Sequence, residues 1–553
     1  MTHLRVDGRA VRVPGDGGSL LDALRDHAGV TSAKDGCSPQ GQCGCCTVLV
    51  DGAPRVACVT PLRRVADRSV TTVDGLDPQV AAPLVEALTA AGASQCGFCT
   101  PGILVRLAAL GPQPTAPRVE SALLAHLCRC TGWRTIVDAA VGAGGAGSDP
   151  GACAVAVCGR RDLAAAGRRA ELEGGVAQDV GPAATLGRAP FAADTPPEGC
   201  LVAVPDGRGG WQIGDTVGSA RSAVGRVQGR RSGHQVAYPL EVPPGTWALT
   251  LRTTWVEPAY LEPDASWCAP GAEAVSAAAN GGAFGAKTPS VVSSAARQLA
   301  DQHGRPVLAV LSREDVVRLG PKRPPIAAGI RADGTGVLRV AATPGIAEAV
   351  ASAAPGLTVE EIDVVGPPTS VSIRAAGWAE AAVLVAALQA SAERVAPGVG
   401  RPPGVGRPSG VGRPSGVGRA TVTGAPGAAA EATVSVDAHG FPADVAVRVR
   451  CGAPLDEVVV RSYAVGAAHM ALGWVCSEAI ALNADGVPED LTIRSFGILR
   501  AKDTPPVLVE IVPAGADEDP VRCSDAVFAA VAAATWIAQG LPEQWPTRRG
   551  SFR

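Results

Sequence analysis

Eight cysteines with close spacings could hold metal. The first four are Cys37, Cys43, Cys46 and Cys58, with five, two and eleven residues between them. Three lie in one loop, Cys37-Ser-Pro-Gln-Gly-Gln-Cys43-Gly-Cys45-Cys46, whose backbone amides can point at sulfur. Four thiolates are what a [2Fe–2S] cluster needs, and the plant-type ferredoxin spacing has four residues in the first gap, so the match is near. The alternative is a four-cysteine zinc site, but zinc ligands usually come as two close pairs on separate knuckles. Cys45 is left as a spare thiol beside two proposed ligands.

The second group is Cys96, Cys99, Cys128 and Cys130: a C-x2-C pair, 28 residues, then a C-x-C pair. Each pair falls at a helix end. The N-terminal dipole of a helix starting at Pro101 favours an anionic thiolate cluster. His126 reads as a core or cluster-shell histidine rather than a ligand.

The elements that must position these thiols are legible in outline. Residues 4–13 alternate around Asp7-Gly8, and TVLVDGAPRVAC alternates around Asp51-Gly52, so both read as hairpins. Ser19 caps an apolar-periodic stretch, Leu20 to Ala28, closed by Gly29, and Val70 to Val73 reads as a strand. Two hairpins around one helix predict a small β-grasp domain over 1–77. Over 78–142 the period becomes helical, with helices predicted at Pro83–Ala91, Pro101–Leu110, Val119–Leu127 and Thr135–Val141, Thr100 capping the second. GAGGAGSDPG at 142–151 reads as a linker.

The remaining chain mixes strand-like runs (Trp247–Val256, Val307–Leu311, Val337–Ala342) with alanine-rich helical ones (Ala379–Val395, Cys523–Trp536). This is a multidomain α+β pattern. Its parts are 152–395, a linker at 396–420 built from the repeat GVGRPP GVGRPS GVGRPS GVGR, and 421–553. The repeat cannot build a helix or a core and reads as a positively charged tether.

Composition narrows the function classes. Basic residues number 49 against 52 acidic ones, a net charge of −3, which argues against nucleic acid as a partner. Aromatics are only 3%, so the cores must be built from Ala, Val and Leu. No apolar run approaches the roughly 20 residues of a membrane span, and MTHLRVDGRAVRV lacks the apolar stretch of a secretory signal. The expected compartment is cytoplasmic, where clustered cysteines bind metal more often than they pair.

With QCGFCTPG and CRCTG in place, residues 1–142 resemble the two-cluster iron–sulfur module of the xanthine dehydrogenase/aldehyde oxidase family of molybdenum hydroxylases. The resemblance implies a β-grasp [2Fe–2S] domain, a four-helix [2Fe–2S] domain, and oxidoreductase activity on a small-molecule substrate. It implies that Gln95 contacts a pterin and that the first cluster passes electrons to FAD on a partner subunit. The body resembles the family's molybdopterin-binding subunit in pieces: Leu261-Glu-Pro-Asp, Gly281-Gly282-Ala-Phe284-Gly285-Ala-Lys287, Ser312-Arg-Glu-Asp, Lys322-Arg-Pro, Arg374-Ala-Ala-Gly377, residues 451–512, and Gly515-Ala-Asp-Glu518-Asp-Pro. By that likeness Gly282, Phe284, Gly285 and Arg374 bind molybdopterin. Glu518 is the base in a hydroxylation that takes its oxygen from water and sends electrons one at a time through the iron–sulfur centres.

The body also departs from the family. The stretch between Trp267 and Gly281 is too short for the family's strand with its cofactor glutamine, the GVGRP repeat lies where glycine-rich cofactor loops belong, and Asp517 replaces a glycine beside Glu518. The bland readings are a glycine turn at 281–287, a surface arginine at 374 and a solvated acid at 518. Two functions follow: an iron–sulfur chain that itself binds molybdopterin, or a non-catalytic electron-transfer and assembly subunit whose shortened body packs on a full-length molybdenum subunit.

Overall fold

The computed structural model describes residues 1–15, 17–143, 161–225, 235–393, 416–424, 427–515 and 517–549. The 142–151 linker (apart from its first two residues), Cys153, Cys158 and most of the GVGRP repeat lie outside the described residues.

The head begins with β1 (Thr2–Val6), β2 (Arg9–Val13), β3 (Thr47–Val50), β4 (Ala53–Val56) and β5 (Ser69–Thr71), a mixed sheet in the order β2-β1-β5-β3-β4. Both hairpins turn as expected: Asp7 and Gly8 have φ of 48° and 80°, Asp51 and Gly52 46° and 78°, the positive pair that a two-residue turn between right-twisted strands requires. Ser19 and Asp22 form a reciprocal capping box at the helical stretch that crosses the sheet.

Four helices follow: α1 (Pro78–Ala90), α2 (Thr100–Ala108), α3 (Ala116–Ala122) and α4 (Arg134–Gly142). Three starts differ from expectation, α3 opening at Ala116 rather than Val119. α1 begins at Pro78, where the Asp77 carboxylate accepts the Gln79 amide at 2.9 Å, and Pro83 lies inside the helix. The stronger signal was the acid-proline pair, because a capping oxygen and a prolyl N1 act together. In α2 the N-cap is Cys99, and Thr100 is already helical, its hydroxyl bonded to Ser94 at 3.0 Å.

The body holds three four-stranded sheets among the described residues. The first contains β6 (Leu201–Pro205), β7 (Trp211–Gly214), β9 (Ala265–Cys268) and β10 (Val307–Val310); the second β8 (Leu249–Arg252), β11 (Ile326–Ile330), β12 (Gly336–Ala341) and β13 (Leu357–Ile362). The third is β14 (Val417–Thr423), β15 (Ala428–Val436), β16 (Pro442–Cys451) and β17 (Val507–Ile511). Helices α5 (Leu163–Gly174), α6 (Trp378–Glu393), α7 (Glu457–Cys476) and α8 (Ser524–Ala538) complete the frame around the head.

β14 corrects the tether reading. Val417, Gly418 and Arg419 of the last repeat unit begin this strand instead of ending a linker. A side chain at Gly418 would stand 1.9 Å from the Ala534 carbonyl of α8. Glycine and alanine thus let strand and helix pack at backbone contact.

Helix α7 corrects a second expectation. It is 20 residues long and apolar enough by composition to cross a membrane, yet 89% of its most apolar window is buried in the protein. One continuous core runs from Leu4 to Trp545, so head and body are packed together.

Candidate metal centres and the adjoining body cavity

The first thiol site follows from sheet register. Thr47 pairs with Val56 across β3 and β4, so Cys46, just before one strand, lies beside Cys58, just after the other. The Cys58 amide donates to Cys46 Sγ at 3.4 Å. The loop folds back so that the Gln40 and Gln42 amides donate to Cys37 Sγ at 3.2 and 3.5 Å. All four ligand candidates are at most 5% exposed. The Cys37 thiol is held well below its ordinary value by hydrogen bonds from Cys43 and Cys58, while the same contacts push Cys43 and Cys58 up. Such anion sharing among buried thiols suits a bound cationic centre.

In this loop Gly44 has φ of 74°, and a methyl group there would meet the His126 ring at 2.4 Å. His126 bonds Thr47 Oγ1 at 3.1 Å and is drawn down to about 3 by burial, so it is neutral. The body grips the loop as well: Gln40 Nε2 donates to Leu491 O at 2.8 Å, and Arg494 Nε to Gln42 O at 3.0 Å.

At the second site the C-x2-C and C-x-C pairs cross. Cys96 and Cys130 have sulfurs 3.6 Å apart, and the Cys99 thiol bonds to Cys128. Cys128 is drawn down to about 7 by that bond against the upward push of burial, with Thr131 Oγ1 adding a contact at 3.1 Å. Cys99, as N-cap of α2, places its sulfur at the positive helix end. Cys45 lies between the two groups. It is 1% exposed, and although its contact with Cys43 favours the thiolate, burial and the charges of Cys37, Cys46 and Cys128 push its pKa up. It is a thiol spare to both sites.

Two of the five cofactor-binding candidates, Gln95 and Gly282, lie against the second site, and two more, Phe284 and Arg374, pack on each other in the neighbouring cavity that Arg129 also lines. Gln95 Nε2 donates to Cys130 O at 2.9 Å and Ser462 O at 3.1 Å, while its buried Oε1 has no partner. A side chain at Gly282 (φ 83°) would lie 2.9 Å from Cys96 Sγ. The Arg374 amide donates to Phe284 O at 3.1 Å, and its guanidinium lies 4.2 Å from the centre of the Phe284 ring. Gly285, the fifth, touches the Ser372 carbonyl so closely that a side chain would stand 1.8 Å from it. Arg374 is therefore no surface arginine: it is 4% exposed, and burial lowers it to about 10.

Glu518 is not brought here. Its side chain is 32% exposed and pairs with Arg450 at 2.9 Å. The reason is strand alternation: Arg450 points outward from β16 while Val449 and Cys451 point in, and the loop follows the outward face. The Gly515 amide and then Arg450 hold its carboxyl below the usual range.

Three buried acids of the body were not among the candidate site residues. Glu478 takes both Arg129 nitrogens, Nη1 at 2.5 Å and Nη2 at 2.7 Å. Glu262 takes Lys287 at 2.7 Å. Glu173 pairs with Arg169 and accepts the Ser524 amide of α8 at 3.0 Å. Lone acids in apolar runs, such as Glu478 after Trp474-Val-Cys-Ser, were the available signal.

Two family models match the head: a 2Fe-2S iron-sulfur cluster binding domain over residues 4–65 and a [2Fe-2S] binding domain over 72–141. The nicotine 6-hydroxylase small subunit of Paenarthrobacter nicotinovorans is 42% identical over 146 residues, 26% of this chain and 88% of the relative. The chain belongs to the xanthine dehydrogenase/aldehyde oxidase family of molybdenum hydroxylases. The isoquinoline 1-oxidoreductase subunit alpha of Brevundimonas diminuta is 41% identical over 142 residues, covering 92% of that relative. By contrast, the match to the aldehyde oxidoreductase of Megalodesulfovibrio gigas, 42% over 131 residues, spans only 14% of that protein. In fold the likeness extends further. The aldehyde oxidoreductase structure from Desulfovibrio desulfuricans aligns over 99% of both chains at a TM-score of 0.71 and 16% identity. The body therefore shares the fold of that aldehyde oxidoreductase structure.

The residues fit the family's two [2Fe–2S] clusters: four buried sulfurs at each site, amide donors on the first and a helix N-terminus at the second. Molybdopterin does not fit the body as it stands. The cavity bounded by Cys96, Cys130, Glu262, Gly282 and Lys287 measures about 10 Å³, and that bounded by Arg129, Phe284, Arg374 and Glu478 about 30 Å³. A water needs roughly 10–15 Å³ and a cofactor several hundred. Of the charged groups that line this region, Arg129 pairs with Glu478, Arg323 with Glu380 and Lys287 with Glu262, while Glu262 Oε1 and Arg374 Nε have no hydrogen-bond partner.

Proposed function

We propose that this chain is the iron–sulfur electron-transfer and assembly subunit of a molybdenum hydroxylase. Single electrons move between its two [2Fe–2S] sites and leave through the first to a flavin on a partner subunit. Hydroxylation of the small-molecule substrate takes place on a separate molybdenum-bearing chain. The observation that supports this reading is the contrast between two groups of four buried thiols and two small body cavities, of about 10 and 30 Å³, lined by the Lys287–Glu262 and Arg129–Glu478 pairs.

One observation favours the second reading, in which the body itself takes up molybdopterin: Gly282 lies against the second thiol site, Phe284 and Arg374 line the next cavity, and Gln95 Oε1 and Arg374 Nε are buried without partners. Molybdenum content separates the two. The chain expressed alone, and then with its genomic neighbours, is purified and assayed for metal. The proposal expects molybdenum only in fractions that contain another subunit. Stoichiometric molybdenum in the isolated chain overturns it.

A further inference from the structure

Arg129 lies between two ligand candidates of the second site, and its side chain leaves them for the body. It donates Nη1 and Nη2 to the two oxygens of Glu478 at 2.5 and 2.7 Å, and Nε to Pro258 O at 2.9 Å. The side chains are only 6% and 2% exposed. Arg129 also lines the small cavity shared by Cys96, Cys99 and Cys130. A fork-shaped ion pair is thus buried within one cavity of the cluster ligands.

A buried pair of this kind adds little stability, because desolvation offsets most of its attraction. Its effect on a neighbouring redox centre is a different matter. Reduction adds one negative charge to a cluster, and a nearby unit charge in a low-dielectric interior biases that step strongly. With Glu478 in place, the Arg129 charge is nearly balanced. Three other buried cations of this region have their own acids: Arg323 has Glu380 at 2.7 Å, Lys287 has Glu262 at 2.7 Å and Lys322 has Glu257 at 3.0 Å, while Arg374 has Asp525 at 3.8 Å. By direct contact of both oxygens, Glu478 is the carboxylate that balances Arg129.

We propose that the Arg129–Glu478 pair sets the reduction potential of the second cluster, with Glu478 acting as a positioning residue supplied by the body. This rests on the two-cluster reading above. It makes the body an electrostatic part of the electron path: moving Glu478 away from Arg129 draws the electron onto the second cluster, and holding it there lets the electron pass on.

The test is a redox titration of the full-length protein under anaerobic conditions, read from the two paramagnetic signals. The second-cluster signal is identified by its loss in Cys130→Ser. Glu478→Gln keeps the shape but removes the negative charge, so the midpoint of that signal rises by at least about tenfold in the equilibrium constant, or about 59 mV for one electron. Arg129→Met lowers it, and Arg129→Lys, which keeps the charge, shifts it less than either. The first-cluster midpoint stays in place throughout. Two intact signals with no shift in Glu478→Gln overturn the proposal, as do shifts of the same sign in Glu478→Gln and Arg129→Met, the pattern of water entering a loosened site. If Arg129→Met fails to assemble, Glu478→Gln decides alone. Absence of both signals from the unaltered protein instead refutes the cluster reading.

Discussion

Cys96 Sγ and Cys130 Sγ lie 3.6 Å apart although 33 residues separate them in the chain. Each belongs to a different close pair, and Cys99 contacts Cys128 likewise, so the two pairs interleave and all four sulfurs would hold one cluster.

Loss of either half then destroys one centre and spares the other. Cys128→Ser or Cys130→Ser is expected to remove one of two paramagnetic signals and to lower iron from about four to about two per chain. Electron paramagnetic resonance of the dithionite-reduced protein and iron analysis check this. Retention of both signals shows that the ligand assignment is wrong.

Gly282 gives a finer probe of the same site. A methyl group there meets Cys96 Sγ at 2.9 Å and a positive φ disfavours it. Gly282→Ala should perturb or abolish the second signal while leaving the first unchanged, with a stability cost of about 2–4 kcal/mol from strain and overpacking. A signal identical to that of the unaltered protein would count against the packing of 281–287 on the cluster ligands.

Much of this arrangement was legible in the chain, for identifiable reasons. Asp7-Gly8 and Asp51-Gly52 encode their turns locally, and Ser19 with Asp22 encodes a cap, so these elements formed where expected. The cysteine spacings carried both thiol groups, because each pair is fixed by the element next to it. Glu518 was not legible, since its direction depends on which face of β16 its loop follows. The last repeat unit was not legible either, because its glycine serves a strand–helix contact with Ala534, more than a hundred residues away.

That contact has a direct consequence. Gly418→Ala would place a methyl group 1.9 Å from the Ala534 carbonyl. Thermal unfolding followed by circular dichroism should show a loss of about 1–3 kcal/mol, while the visible absorbance of the head remains. An unchanged melting profile would contradict the close packing of β14 on α8.

Acid stability offers a separate check. His469, in α7, is buried beside the Leu499 carbonyl at 3.1 Å, and burial, aided by Arg129, draws it from 6.5 down to about 4. The folded protein keeps this histidine neutral while the unfolded chain protonates it. Stability therefore falls as pH drops from 6.5 towards 4, by about 1.4 kcal/mol per pH unit from this group. In His469→Gln, which can still donate to Leu499, urea unfolding measured across that window should show a shallower pH slope. An unaltered slope would mean that His469 does not contribute.

The most direct test of the account is metal and sulfide analysis of the anaerobically purified chain. The two thiol sites predict about four iron and about four labile sulfide per chain, with visible absorbance. A colourless protein carrying zinc would contradict it.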